Sequence, residues 1–154
     1  MIWKLYTDGA TSHNGAKDAY GGWGWALYDE DKIAENSGFL ANTTNNKCEM
    51  TAIIEGCTDL LDRLDEEDIV DVFSDSAYCV NCYKQRWFVN WEKNGWVNAK
   101  QEPVKNKELW EELIKFFNDE RFNFRKVKGH ADDERNNYVD RLAVEAKING
   151  SLRN

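Results

Sequence analysis

Apolar and polar positions alternate through the first 41 residues in the manner of strands. Trp3-Lys4-Leu5-Tyr6-Thr7-Asp8-Gly9 predicts a strand over 2–8 that ends at Asp8. After a loop over 11–20, Gly22-Trp23-Gly24-Trp25-Ala26-Leu27-Tyr28 predicts a second strand, and about 32–41 a third. The period then lengthens. Cys48, Ile53, Ile54, Cys57, Leu60, Leu61 and Leu64 recur at steps of three and four, so Thr43-Thr44-Asn45-Asn46 opens a helix that the acidic stretch 62–68 ends. Alternation returns over 69–74, ending at Asp75. A broken helical stretch follows from Ala77 to about Trp91, interrupted by Gly95 before a loop over 96–103. Leu109, Trp110, Leu113, Phe116 and Phe117 share one face of a helix over 105–118. A fifth strand over 122–127, a polar loop over 129–136 and a helix over 137–148 complete the order βββαβααβα.

Short connections make the first three strands an antiparallel meander. Intervening helices let strands one, four and five run parallel. The fold class is therefore α/β: a five-stranded mixed sheet with helices on both faces, in one domain over 1–154. In such sheets, sites form at the carboxyl ends of parallel strands. Asp8 and Asp75 end neighbouring strands, so two carboxylates stand side by side.

Composition sharpens this. With 42% hydrophobic and 31% charged residues the chain reads as soluble, and no run approaches a membrane span or a secretory leader. A cytoplasmic monomer is expected. The net charge of −8 argues against a nucleic-acid partner, but the charge is uneven. Residues 59–71 hold seven acids against Arg63 alone. Residues 84–107 hold Lys84, Arg86, Lys93, Lys100, Lys105 and Lys107 against Glu92 and Glu102, interleaved with Trp87, Trp91 and Trp96. A basic ridge with aromatics suits a phosphate backbone. Cys79 and Cys82 have CxxC spacing, but Cys48 and Cys57 are too far apart to complete a zinc set, so all four read as reduced thiols.

Four acids stand out: Asp8, Glu49, Asp75 and Asp140. Each has a plain explanation. Asp8 before Gly9 fits a turn, Asp75 a helix N-cap, Glu49 in a first helical turn a capping pattern, and Asp140 a solvated face. Together they offer a hard divalent cation the converging oxygens that phosphoryl transfer by two metal ions uses. His130, on the polar loop, can shuttle protons near neutrality. His13 has no assigned role.

The ordered pieces Tyr6-Thr7-Asp8-Gly9, Thr43-Thr44-Asn45-Asn46-Lys47-Cys48-Glu49-Met50, Ser74-Asp75-Ser76, Asn90-Trp91-Glu92-Lys93-Asn94-Gly95-Trp96, Pro103-Val104-Lys105-Asn106 and Val127-Lys128-Gly129-His130-Ala131, with Asp140, resemble the type 1 ribonuclease H family from about residue 3 to 147. The resemblance implies a ribonuclease H-like fold and an endonuclease that cuts the RNA strand of an RNA/DNA hybrid, leaving 5′-phosphate and 3′-hydroxyl ends. It implies that Asp8, Glu49, Asp75 and Asp140 hold two Mg²⁺ ions, with Mn²⁺ able to substitute, and that His130 assists proton transfer and product release. Asn14, Asn45 and Glu49 match minor-groove contacts, Trp87 a residue packing on the DNA sugar face, and Thr44 and Asn106 a DNA-phosphate pocket. Lys84, Arg86 and Lys93 belong to the matching basic protrusion, with Trp91 and Trp96 beneath it.

Departures from the pattern cluster on the binding side. Ala77 replaces a longer side chain, Asn42 stands where some members carry arginine, and Glu92 and Glu102 dilute the ridge. Weaker hybrid affinity with intact chemistry is the expectation. Rival readings are a DNA nuclease on the same fold, a hybrid-binding module without activity, and a redox protein using Cys79 and Cys82.

Overall fold

The computed structural model describes residues 1–127 and 133–153. Its elements are β1 (Ile2–Ser12), β2 (Tyr20–Tyr28), β3 (Lys32–Ala41), α1 (Asn45–Leu61), β4 (Ile69–Ser74), α2 (Ala77–Gln85), α3 (Trp87–Lys93), α4 (Lys107–Phe117), β5 (Phe122–Lys126) and α5 (Glu134–Arg153). They form one five-stranded sheet in the order β3-β2-β1-β4-β5. The β1–β2 and β2–β3 pairs are antiparallel, and β1–β4 and β4–β5 are parallel. The mixed sheet expected from the alternation is present.

Some boundaries differ from expectation for a visible reason. β1 does not stop at Asp8 but continues to Ser12, because Ala10, Thr11 and Ser12 pair with Gly22, Gly21 and Tyr20 of β2. These residues carry no apolar alternation, so pairing alone extends the strand. The broken helical stretch is two helices, split where Arg86 takes a left-handed conformation at φ 54°. α5 begins at Glu134, inside the expected polar loop, where Asp133 Oδ1 accepts the N–H groups of Arg135 and Asn136 at 3.1 and 3.0 Å. That acceptor offsets the unpaired donors of a first helical turn.

Alternate residues of β2 show why helices cover both faces. A side chain at Gly21 would meet Cys48 of α1, whereas one at Gly22 would meet Ala143 and Lys147 of α5. On the α1 side the main core gathers Leu5, Trp25, Leu27, Ile53, Leu60, Val70, Val72, Trp110, Leu113, Phe122 and Phe124. Each such side chain contributes about 1.5–3 kcal/mol through removal from water. Trp110 of α4 is fully buried and its indole N–H donates to Tyr78 Oη at 3.2 Å. Under α5 lies a smaller cluster of Tyr6, Ala26, Tyr28, Val127 and Val139. Among the described residues no helix is long and apolar enough to cross a membrane.

Candidate active site

The parallel pairing of β1 and β4 runs as far as Tyr6 opposite Phe73. Beyond it lie Asp8, still within β1, and Asp75, just past the end of β4. The Thr7 hydroxyl donates to the Phe73 carbonyl at 3.0 Å, tying the strands together at this point. Asp8 therefore lies within β1, yet at the carboxyl end of the parallel segment, as the topology requires. It is only 4% exposed, and Oδ1 accepts the Gly9 N–H at 2.8 Å. Asp75 is exposed, one residue past β4. It is not the helix cap: Ser76 caps α2, its hydroxyl accepting the Cys79 N–H at 3.2 Å.

Glu49 comes from α1, in the second turn rather than the first. Thr44 is the N-cap, its hydroxyl accepting the Lys47 N–H at 3.2 Å, so Glu49 takes no part in capping. Its side chain is free to turn toward β1. One carboxylate oxygen from each of Asp8, Glu49 and Asp75 lies within 4.8 Å of the others. Asp140, exposed on α5, stands outside that trio but is close enough to Asp8 to raise its pKa through a side-chain hydrogen bond.

Such crowding has an electrostatic cost. Burial first, then the neighbouring Asp75 charge, pushes the Asp8 carboxyl up to about 7. Burial, then Asp8 and Asp75, pushes Glu49 up to about 11. Among the described residues none of the four acids forms an ion pair. Glu49 Oε2 is buried without a hydrogen-bond partner. Hard oxygen donors held close, short of positive charge and with one oxygen unpartnered, fit a divalent cation. Cation binding would convert the repulsion into attraction.

The expected binding residues fall into two groups. Asn14, Thr44, Asn45 and Asn106 line one open cavity, together with Lys47 and Lys105. Asn14 Oδ1 accepts the Asn45 N–H at 3.1 Å, fixing the loop after β1 to the start of α1. Lys105, counted in the basic ridge from sequence, lies in this cavity instead, and Lys47 is an addition that its place beside Asn45 and Asn46 in the motif could have signalled. The second group is the ridge on α2 and α3. Lys84, Arg86 and Lys93 are exposed, and Trp87 is half-buried with its indole N–H on Gln85 Oε1 at 2.9 Å. Ring contacts run inward from Trp87 to Trp91 at 6.3 Å and from Trp91 to Trp110 at 5.4 Å, with Trp96 at 6.0 Å beside Trp91. The surface indole thus rests on a ladder rooted in the core, and Trp91 and Trp96 are supports.

His130 lies outside the described residues. Cys48, Cys57, Cys79 and Cys82 are all free and buried. Burial pushes the Cys79 and Cys82 thiols up to about 12, which leaves no thiolate for redox exchange near neutrality.

The RNase H family model matches residues 2–148. The Ribonuclease H of Thermoanaerobacter sp. (strain X514) is 44% identical over 142 residues, covering 92% of this chain and 87% of that protein. The Ribonuclease H of Clostridium botulinum (strain Hall) is 44% identical over 143 residues, covering 92% and 93%. Among solved structures, LC9-RNase H1, described as a type 1 RNase H with the type 2 active-site motif, superposes with a TM-score of 0.78 at 27% identity, over 96% of this chain and 72% of that one. LC11-RNase H1 in complex with RNA/DNA hybrid gives 0.70 at 25% identity, over 96% and 98%. A family match along nearly the whole sequence, on the sheet that brings these carboxylates together, means that the chain belongs to the RNase H family.

Proposed function

We propose that this chain is an endonuclease that hydrolyses the RNA strand of RNA/DNA hybrids and leaves 5′-phosphate and 3′-hydroxyl ends. The observation that carries the reading is the convergence of Asp8, Glu49 and Asp75 within 4.8 Å, with Glu49 Oε2 buried and unpartnered. The relatives named Ribonuclease H, and the LC11-RNase H1 complex with RNA/DNA hybrid, support the same substrate.

Two Mg²⁺ ions, if bound here, would supply an activated water and offset charge at the scissile phosphate. Asp8, Glu49, Asp75 and Asp140 would hold them. Burial and mutual repulsion raise both the Asp8 and Glu49 carboxyls, so a bound cation would favour their ionised forms. His130 carries a proton at the leaving oxygen. Asn14, Asn45 and Glu49 address the hybrid minor groove, where 2′-hydroxyls distinguish RNA from DNA. Thr44 and Asn106 take a DNA phosphate, and Trp87 packs on a DNA sugar. Lys84, Arg86 and Lys93 screen the backbone. Four free cysteines fit a reducing compartment, hence the cytoplasm, and residues 1–154 act as one monomeric RNase H domain.

A single end-labelled RNA strand tests this, presented alone, in an RNA/RNA duplex and in an RNA/DNA hybrid, with Mg²⁺ or with chelator. Cleavage of the hybrid alone, dependent on Mg²⁺, is expected. Equal cutting of the RNA/RNA duplex, or cutting in chelator, would refute the reading. A labelled DNA duplex of the same sequence is the competing substrate, and preference for it would favour a DNA nuclease on the same fold.

A further inference from the structure

Glu49 and Asp8 come from different elements, so something must set the distance between α1 and β1. A Cβ placed on Gly9 would lie 2.7 Å from Cys48 Cβ, 2.7 Å from Glu49 N and 2.8 Å from Cys48 C. Real Cβ atoms essentially never approach within 3.0 Å. Two of the three are backbone atoms, which cannot rotate away. Gly9 has no positive φ, so space rather than backbone conformation calls for glycine here.

The neighbouring side chain is seated in the same way. Cys48 is fully buried, and the Thr11 hydroxyl donates to its sulfur at 3.4 Å while the Thr43 hydroxyl stands at 3.8 Å. A Cβ on Gly21 would lie 2.4 Å from that sulfur. Both β1 and β2 are therefore bare where α1 crosses them. The dipeptide Asp8-Gly9 meets the dipeptide Cys48-Glu49, and the Gly9 N–H also holds Asp8 Oδ1 at 2.8 Å.

We propose that Gly9 is a positioning residue for the metal site: its bare Cα lets the Cys48–Glu49 backbone close onto β1 and so delivers the Glu49 carboxylate to Asp8. The inference rests on these carboxylates holding a metal. Ordinary contact begins at 3.4 Å, so a methyl at Gly9 drives α1 outward by roughly the difference from 2.7 Å. Site geometry tolerates about 0.5 Å, and Mg²⁺ demands oxygens at about 2.0–2.1 Å in near-octahedral array. The displacement exceeds that tolerance.

The test is Gly9→Ala, with Mn²⁺ affinity measured in the absence of substrate by calorimetry and by paramagnetic broadening of amide signals into the millimolar range. Circular dichroism at the same temperature establishes folding. Affinity should fall by about tenfold or more, the range seen when residues that orient metal ligands are lost. In a Glu49→Gln background the same change should add little, because its effect runs through Glu49. Wild-type affinity in folded Gly9→Ala, or an equal loss in the Glu49→Gln background, would overturn the proposal. Should Gly9→Ala fail to fold, Gly21→Ala presses on the same seat through the Cys48 sulfur. It should weaken Mn²⁺ binding and recover only in part with Cys48→Ala, because a Cβ on Gly21 would also lie 2.6 Å from the Ala10 carbonyl oxygen of β1, and unchanged binding in Gly21→Ala would overturn the proposal. A wild-type protein that binds no Mn²⁺ would sink the metal-site reading itself, a result distinct from the others.

Discussion

Asp8→Asn should stabilise the metal-free protein even as it abolishes cleavage. The wild-type carboxyl is raised from an ordinary value of 3.8 to about 7, first by burial and then by Asp75. A raised folded-state pKa means that the folded protein holds more protons than the unfolded chain between those values. Stability therefore falls as pH rises through the window, is unaffected below about 4, and bears the full cost above about 7. Each unit is worth about 1.4 kcal/mol, so three units set an upper value of about 4 kcal/mol. Coupling to Glu49 spreads part of this over both acids, so about 2–4 kcal/mol is expected at pH 8. Asparagine keeps the carbonyl oxygen that accepts the Gly9 N–H, so little is lost in exchange.

Urea denaturation in EDTA at pH 4, 6 and 8 measures this. The gain of Asp8→Asn over wild type should be near zero at pH 4 and grow toward pH 8. Mg²⁺ should then narrow the gap, since binding at ten times Kd stabilises wild type by about 1.4 kcal/mol and the variant less. A gain independent of pH, or a loss at pH 8, would refute the claim that carboxylate crowding is the source.

Trp87→Ala should raise KM for hybrid about tenfold or more with kcat little changed, since an aromatic platform contributes about 1–3 kcal/mol; steady-state kinetics separate the two. Cys79→Ser with Cys82→Ser should cleave hybrid at the wild-type rate, and the native thiols should resist a disulfide reagent until the protein unfolds. Hybrid affinity should fall less steeply with salt than that of a relative with a more basic ridge, because the slope counts neutralised phosphates and Glu92 and Glu102 oppose the ridge; titration from 50 to 200 mM salt measures it.

The sheet was legible because alternation and period change are imposed by burial, which acts on residue type. Leu5, Val70 and Val72 had to face a core, and they do, at 0% exposure. The meeting of Asp8 and Asp75 was legible for a related reason: strand order places the ends of β1 and β4 side by side. What could not be read was anything set by the absence of a side chain. Ala10, Thr11 and Ser12 extend β1 by pairing with Gly22, Gly21 and Tyr20, and no hydrophobic pattern marks them. The break at Arg86 is a left-handed residue without glycine to signal it. Glu49 looked like a capping partner because Asn46 stands three before it, while Thr44 is the residue that caps. Asp140 matched its motif, yet its exposure and its place outside the inner trio depend on how α5 lies over the sheet.

The acids and the ridge are fastened to different parts of the core, and this separates chemistry from affinity. Asp8 lies on β1, Asp75 just past β4 and Glu49 on the helix packed against them, where α1 meets β1 through its backbone at Gly9 and β2 through the Cys48 sulfur at Gly21. Trp87 stands on α3 and reaches the core through Trp91 and Trp110 of α4. A substitution such as Glu92 or Glu102 changes the potential along the ridge without moving any atom of the carboxylate trio. Ridge charge can therefore change without altering the contacts of α1 on β1. The opposite does not hold. On the proposed role of Gly9, a side chain added there would displace Glu49 whatever the ridge carries.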